Sequence, residues 1–295
     1  MFGNNNKGLF LGTSAAEMIP DPFCSCEVCN YARLHPEEQR VRSAFLADEE
    51  TCIDFGPDVM YSSMRFGADF TKLKNIFITH LHSDHFSLDN LGVINCNNPK
   101  ANNLFTLHIS DVAFEWLIGQ RKAILELSGG RNDILGCAEK GYYSIESHKA
   151  YESFKVGSKE VFTIYGFHGG EAPKEKSLNY RITENGKTLL YALDTGVYTS
   201  EALEALSGFP VDVLIMDATF GSMKMDETCT HLDAYSFISQ LESLAKIGVV
   251  TDKTRIYASH INHYNMWHQK EYQSYFDKNS PLPVTVAYDG LKIDL

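Results

Sequence analysis

The feature that most restricts this chain is Thr79-His80-Leu81-His82-Ser83-Asp84-His85, which directly follows an apolar run over residues 75–79. A strand that ends in a turn carrying His-x-His-x-Asp-His brings three imidazoles and a carboxylate together at the edge of a sheet. Nitrogen and oxygen donors in that mix suit zinc, manganese or iron. A lone histidine is more often a satisfied polar residue than a ligand, but three within six positions, with an aspartate among them, form a ligand pattern.

The rest of the chain must build a sheet to carry that turn. Its 295 residues, 44% apolar and 22% charged, exclude collagen, coiled coil and wholesale disorder. Strand-like runs bounded by glycine or polar turns fall at residues 8–11, 51–55, 75–79, 104–109, 161–167, 178–183, 188–193, 211–218, 255–258 and 284–288. Helical patterning is clearest at 111–120, 200–206 and 232–246. Asn185-Gly186 reads as a hairpin turn, because both central positions of a type I′ turn need positive φ. Two groups of strands, each with helices between or after them, predict an α/β fold (α+β in some schemes) of mixed sheets covered by helices. Residues 1–295 are expected to form one domain. The least regular stretch, about 97–158, with an exposed loop at 128–133, is read as an insertion over or beside the site.

Twenty-six lysines and arginines against 38 aspartates and glutamates set the formal charge at −12, which argues against a nucleic-acid partner. No 18 consecutive residues are apolar, and Met1-Phe-Gly-Asn-Asn-Asn-Lys7 is too polar for a signal peptide or anchor. The expectation is a cytoplasmic chain without a membrane partner. Three of the seven cysteines, Cys24, Cys26 and Cys29, lie within six residues, which in a reducing compartment points to metal before disulfides. Cys52, Cys96, Cys137 and Cys229 are scattered and read as small core residues or bystanders.

The histidine motif resembles the signature of the metallo-β-lactamase superfamily. The resemblance implies an αββα sandwich, two mixed β-sheets flanked by helices, with a two-metal site at one sheet edge. It also implies further ligands at later strand ends, where His168, Asp194 and His260 stand. By that analogy His80, His82 and His168 hold one metal, Asp84, His85 and His260 hold the second, and Asp194 bridges them. Asp84 is counted with the catalytic residues as well. His148 is the rival to His168, but no strand precedes it, and a plain turn is the alternative for Asp194. Two divalent ions, manganese, zinc or iron, roughly 3.5–4 Å apart can hold a bridging hydroxide at neutral pH, so hydrolysis is the default chemistry.

Cys24-x-Cys26-x-x-Cys29 lacks one donor for a tetrahedral structural zinc, and His263, three residues past His260, supplies a candidate. This cluster, with Ala32-Arg33-Leu34-x-Pro36-Glu37, Ile53-Asp54-x-Gly56, the His260/His263 pair and Tyr288-Asp289-Gly290, is similar to the PhnP-like branch, the phosphoribosyl cyclic phosphodiesterases. The segment 97–158 departs most. That likeness implies a metal-dependent phosphodiesterase acting on a small cyclic phosphate, a phosphoribosyl 1,2-cyclic phosphate or a 2′,3′-cyclic nucleotide, and a homodimer. In related phosphodiesterases a histidine at the place of His231 approaches the substrate phosphate. Asp217 is the candidate to orient it, while a helix cap is the competing explanation for His231. Lys174, Lys176 and Arg181 are read either as a phosphate contact or as a solvated face. Alternatives are an RNA 3′-processing endonuclease, whose family carries glutamate at the position of Asp217, thioester or lactam hydrolysis, and a non-catalytic role like that of the pyrroloquinoline-quinone accessory proteins.

Overall fold

The computed structural model describes residues 7–96, 104–130 and 132–295. In chain order its elements are β1 (Lys7–Gly12), α1 (Glu27–Leu34), β2 (Ala44–Asp48), β3 (Thr51–Ile53), α2 (Val59–Phe66), β4 (Asn75–Phe77), α3 (Leu88–Cys96), β5 (Thr106–Ser110), α4 (Asp111–Ser128), α5 (Ile134–Glu139) and β6 (Ser144–His148). Then follow β7 (Ser153–Val156), β8 (Lys159–Gly169), β9 (Lys176–Glu184), β10 (Lys187–Ala192), α6 (Ser200–Leu206), β11 (Val213–Asp217), α7 (Ala234–Lys246), β12 (Arg255–Ser259), α8 (Gln269–Asn279), β13 (Val284–Val286) and β14 (Lys292–Asp294).

The strands form two seven-stranded mixed sheets, ordered β14-β1-β2-β3-β4-β5-β6 and β13-β12-β11-β10-β9-β8-β7. The first is antiparallel from β14 to β3 and parallel from β3 to β6. The second is antiparallel from β7 to β10 and parallel from β10 to β13. Phe10, Phe45, Ile53 and Phe77 of the first sheet meet Tyr180, Ile182, Tyr191 and Ile215 of the second in a shared core. Truncating one such ring to alanine costs about 3–5 kcal/mol.

Outside the first sheet, Val59, Ala113, Leu117 and Ile134 of α2, α4 and α5 cover Leu46, Ile76 and Leu107. Outside the second, Ala202, Phe237, Leu241 and Phe276 of α6, α7 and α8 cover Leu190, Leu214 and Ile256. The four layers are the expected αββα sandwich. Local chemistry agrees: Asn185 and Gly186 have φ of 51° and 75°. At the start of α7, the Asp233 carboxylate accepts from the N–H groups of Tyr235 and Ser236, 2.8 and 2.7 Å away, in a capping box worth about 1 kcal/mol.

The insertion reading needs correction. Residues 97–103, and Arg131 of the expected loop, lie outside the described residues. The stretch 104–158, however, is built into the sandwich: β5 and β6 extend the parallel half of the first sheet, and β7 edges the second. β6 and β7 are short edge strands, largely exposed or half-buried, and the alternation of β7, Ser-Phe-Lys-Val, runs for only four residues. Among the described residues no helix is long and apolar enough to cross a membrane. Cys52 is buried and Cys137 and Cys229 are half-buried, while the side chain of Cys96 lies outside the described residues.

Candidate metal centre

The carboxyl ends of parallel strands are the usual place for a site in an open sheet. Here strands from both sheets end at one rim. Asp54 follows β3, the segment 79–85 follows β4, Asp194 follows β10, Asp217 closes β11 and His260 follows β12, with His168 near the end of β8. Asp54, Asp194 and His260 adopt φ of 64°, 52° and 63°. Left-handed backbone at such residues costs about 1–3 kcal/mol each and persists only where the surroundings impose it. Gly56 is required for a different reason: a Cβ there would lie 1.9 Å from the Asp84 carbonyl oxygen.

The rim carries two adjoining clusters. In the first, His82 Nδ1 is 2.8 Å from His80 Nε2 and 3.2 Å from His168 Nε2. In the second, His85 Nε2 is 3.1 Å from Asp84 Oδ2, which is 3.7 Å from His260 Nε2. Asp194 spans both. Its Oδ2 lies 3.0 Å from His85 Nε2 and 3.3 Å from His260 Nε2, and its Oδ1 lies 3.9 Å from His80 Nε2 and 3.8 Å from His168 Nε2.

Hydrogen bonds behind the rings fix which nitrogen faces inward. His85 Nδ1 donates to Asp54 Oδ2 at 2.7 Å. His80 Nδ1 donates to Thr79 Oγ1 at 3.0 Å, and that hydroxyl in turn donates to Asp54 Oδ1 at 2.9 Å. His260 Nδ1 donates to Thr219 Oγ1 at 2.8 Å, which donates to Asp217 Oδ1 at 2.9 Å. His168 Nδ1 donates to the Thr230 carbonyl at 3.3 Å. In all four rings Nε2 is the nitrogen left to face the cluster, the usual arrangement behind metal-binding histidines.

The electrostatics call for positive charge. Burial opposes the charge on His85, but Asp194, Asp84 and Asp54 outweigh it and push its pKa well up; burial likewise opposes His260, which Asp194 and Asp84 bring to about 9. Burial alone would raise Asp84 and Asp194, but the neighbouring histidines hold both well below the carboxylate range. Burial first, then neighbouring imidazoles, keeps His80 and His168 neutral, the latter near 4. The buried His85 Nε2, His260 Nε2 and Asp194 Oδ2 have no hydrogen-bond partner. Three orphaned atoms at that spacing would be expensive, and divalent cations satisfy all of them. The residues fit the metals the fold implies.

Beside the clusters, His231 Nδ1 donates to Asp217 Oδ2 at 2.8 Å. Asp217 is fully buried, and its Oδ1 also accepts from Thr219 N and Leu232 N, each at 3.1 Å. The cap explanation for His231 falls away, because Asp233 is the residue that caps α7.

The cysteine cluster also assembles. Cys24 and Cys26 Sγ each lie 3.6 Å from His263 Nδ1, and Cys29 completes a group of four possible donors. The N–H of Cys26 on its sulfur lowers the Cys24 pKa, while burial raises Cys29 to about 12. Asp21 Oδ2 stands 3.5 Å from His263 Nε2.

Elsewhere, His148 packs against Phe154 and lies 3.0 Å from His108 Nδ1, outside the rim clusters. Arg181 sits over Phe162 and Phe209, and Lys174 is exposed. Lys176 alone of the three candidate cations lines a cavity that includes His168. The residues that sequence reasoning passed over are those behind the ligands: Asp54, quoted only as part of a strand end, Thr79 and Thr219.

A profile described as the beta-lactamase superfamily domain matches residues 51–261. The chain belongs to that superfamily. It is a hydrolase of the metallo-β-lactamase fold, a class that works with divalent metal. Among solved structures, a diphosphatase of the PhnP family is 20% identical, with 98% of this chain and 97% of that one covered and a TM-score of 0.68. Zinc-bound PqqB from Methylobacterium extorquens is 18% identical, with 98% and 100% covered and a TM-score of 0.72. The short form of human tRNase Z is 19% identical, with 98% of each chain covered and a TM-score of 0.61. At these identities the likeness is one of fold. None of the curated proteins compared matches the chain.

Proposed function

We propose that the protein hydrolyses a small cyclic phosphodiester. His80, His82 and His168 would hold one divalent cation and Asp84, His85 and His260 the other, with Asp194 shared; when bound, the pair supplies Lewis acidity and an activated water. The observation that carries the reading is the Asp217–His231 pair next to both clusters: the His231 ring centroid is 4.5 Å from that of His168 and 5.2 Å from that of His260.

Asp217 holds the Nδ1–H of His231 and so commits the tautomer, leaving Nε2 for the substrate. As the incoming water oxygen bonds to phosphorus and the ring P–O bond breaks, His231 Nε2 takes up the proton the water releases and passes it to the leaving oxygen, with Asp217 offsetting the transient imidazolium charge. A cyclic diester asks little more of the protein than positioning and charge stabilisation. Cys24, Cys26, Cys29 and His263 are read as a closed structural zinc site. Four protein donors leave no open position there, so no chemistry is assigned to it.

Manganese-loaded protein is expected to cleave bis(p-nitrophenyl) phosphate and a 2′,3′-cyclic nucleotide. His231→Ala should lower kcat about 10²-fold or more at unchanged metal content. Strong thioesterase activity without diesterase activity would overturn the reading.

A further inference from the structure

We propose that His108, Glu146 and His148 form a further zinc site at the edge of the first sheet, separate from both the rim and the cysteine cluster. β5 and β6 run parallel there, with His108 opposite Glu146 and Ser110 opposite His148. Glu146 and His148 are two positions apart on one strand, so their side chains leave the same face of the sheet. His108 Nδ1 lies 3.0 Å from His148 Nε2 and 3.7 Å from Glu146 Oε2, and the three donor atoms fall within 4.8 Å of one another. Two donors on a tetrahedral zinc, each at about 2.0–2.1 Å, stand about 3.3 Å apart. The two distances from His108 bracket that value.

Both rings are buried and held in place. His108 Nε2 donates to Asn75 Oδ1 of β4 at 3.3 Å, which leaves Nδ1 to face His148 and Glu146. Phe77 stacks on His108 with centroids 4.4 Å apart and planes 13° apart, and Phe154, from the second sheet, stacks on His148 at 3.7 Å and 7°. Burial, then the neighbouring His148, lowers the His108 pKa to about 3; burial lowers His148 as well, against the pull of Glu152 and Glu146. Both imidazoles are therefore neutral at pH 7, the form that binds metal. With zinc bound, His148 carries its one ring proton on Nδ1, so neither ring has to lose a proton.

A single N–H···N hydrogen bond would satisfy two neutral rings, but it explains neither the carboxylate beside them nor the access to it. The Glu146 side chain is 57% exposed. Together with His108, Asn75 and Ser144 it lines a cavity of about 500 Å³, the side from which an ion enters. Each of the three lysines on that wall already pairs with a carboxylate: Lys74 with Glu50, Lys155 with Glu160, and Lys159 with Asp48 and Glu184. Three protein donors leave the fourth position of the zinc to water.

The place in the fold gives the site a use. His148 closes β6, the last strand of the first sheet, and residues 149–152 carry the chain across to β7, the last strand of the second. An ion that fastens His148 to β5 fixes this crossover where both sheets end.

The test is anomalous diffraction at the zinc edge from the full chain crystallised with zinc, joined to metal counts after dialysis against micromolar zinc. A peak about 2.0–2.1 Å from His108 Nδ1 and His148 Nε2 is expected. The native chain should hold one zinc equivalent more than His148→Gln. Glu146→Gln changes an exposed side chain, which guards against a folding defect, and should weaken that equivalent about tenfold or more. Asn75→Ala, which touches no ion, should weaken it about 10–100-fold. The rim and cysteine equivalents should stay constant across the three variants. Zinc at the rim and cysteines with no peak between the two rings, or the same count in the native chain and the variants, leaves only a hydrogen-bonded histidine pair and overturns the proposal.

Discussion

The rim and the cysteine cluster are both groups of candidate ligands, yet they are made in opposite ways. Three of the four cysteine-site donors lie within six residues around the start of α1, with Cys26 as its N-cap and Cys29 in its first turn, and only His263 is distant. The rim draws His80, His82, Asp84 and His85 from one turn but needs His168, Asp194 and His260 from three later strand ends, two of them in left-handed backbone. A thiolate site can be prepared locally, whereas the mixed nitrogen and oxygen site depends on two sheets ending at the same height. The two meet in one segment. Ile261 N donates to the Thr13 carbonyl at 2.9 Å and its own carbonyl accepts from Ala15 N at 3.0 Å, so the loop after β1 anchors the stretch between His260 and His263.

The sharpest break of that comparison is Asp194→Ala. It should abolish diesterase activity, by 10³-fold or more, and empty the rim while one zinc equivalent remains at the cysteines; elemental analysis with kinetics reads both. Asp54→Asn touches no ligand atom directly but disturbs the hydrogen bonds behind His85 and, through Thr79, His80. Rim metal should then bind about 10–100-fold more weakly, measured by chelator competition. Cys26→Ala should do the converse, losing a zinc that otherwise survives mild chelation and lowering Tm by roughly 5 °C, with a smaller loss of activity passed through the His260–His263 segment. Unchanged zinc content would remove the structural-site proposal.

The smallest expected effect concerns Glu175, whose buried carboxylate accepts from Leu81 N and Ala172 N, each at 3.1 Å, and so ties the turn between His80 and His82 to the loop after β8. Burial raises its pKa from 4.5 to about 7. The folded state therefore holds this proton more tightly than the unfolded state. The contribution is fully present below pH 4.5 and is lost as pH rises towards 7, by about 1–3 kcal/mol. Denaturant midpoints across that window should fall in the native chain and flatten in Glu175→Gln.

Much of the architecture was legible beforehand. All ten expected strands coincide with strands of the two sheets, because buried strands leave apolar runs and sharp turns leave Asn-Gly or glycine. Four strands escaped. β6 is a polar sheet edge, β7 an edge of only four residues, β14 is three residues long, and β2 lacks alternation because it is buried on both faces. Helices α1, α2, α3, α5 and α8 escaped too; they run from six to eleven residues, lengths at which tertiary packing rather than intrinsic propensity keeps a helix.

In the rim, the residues brought together are those with a motif or a strand end to mark them. Asp54, Thr79 and Thr219 stand at strand ends too, but nothing marked their role, since a carboxylate or hydroxyl behind a ligand looks like any turn residue until its partner is in place.

The order of residues by itself determined the donor types, the turn that bears four of them and the alternating strands that deliver the others, because these follow from local spacing and side-chain chemistry. Only the tertiary structure decided that Asp194 faces both clusters, that four of the rim imidazoles turn Nε2 inward and that a cavity lies beside His168. Those properties are distances between groups up to 180 positions apart, from His80 to His260. No local pattern encodes such a distance; it exists once the packed core holds both sheets in register.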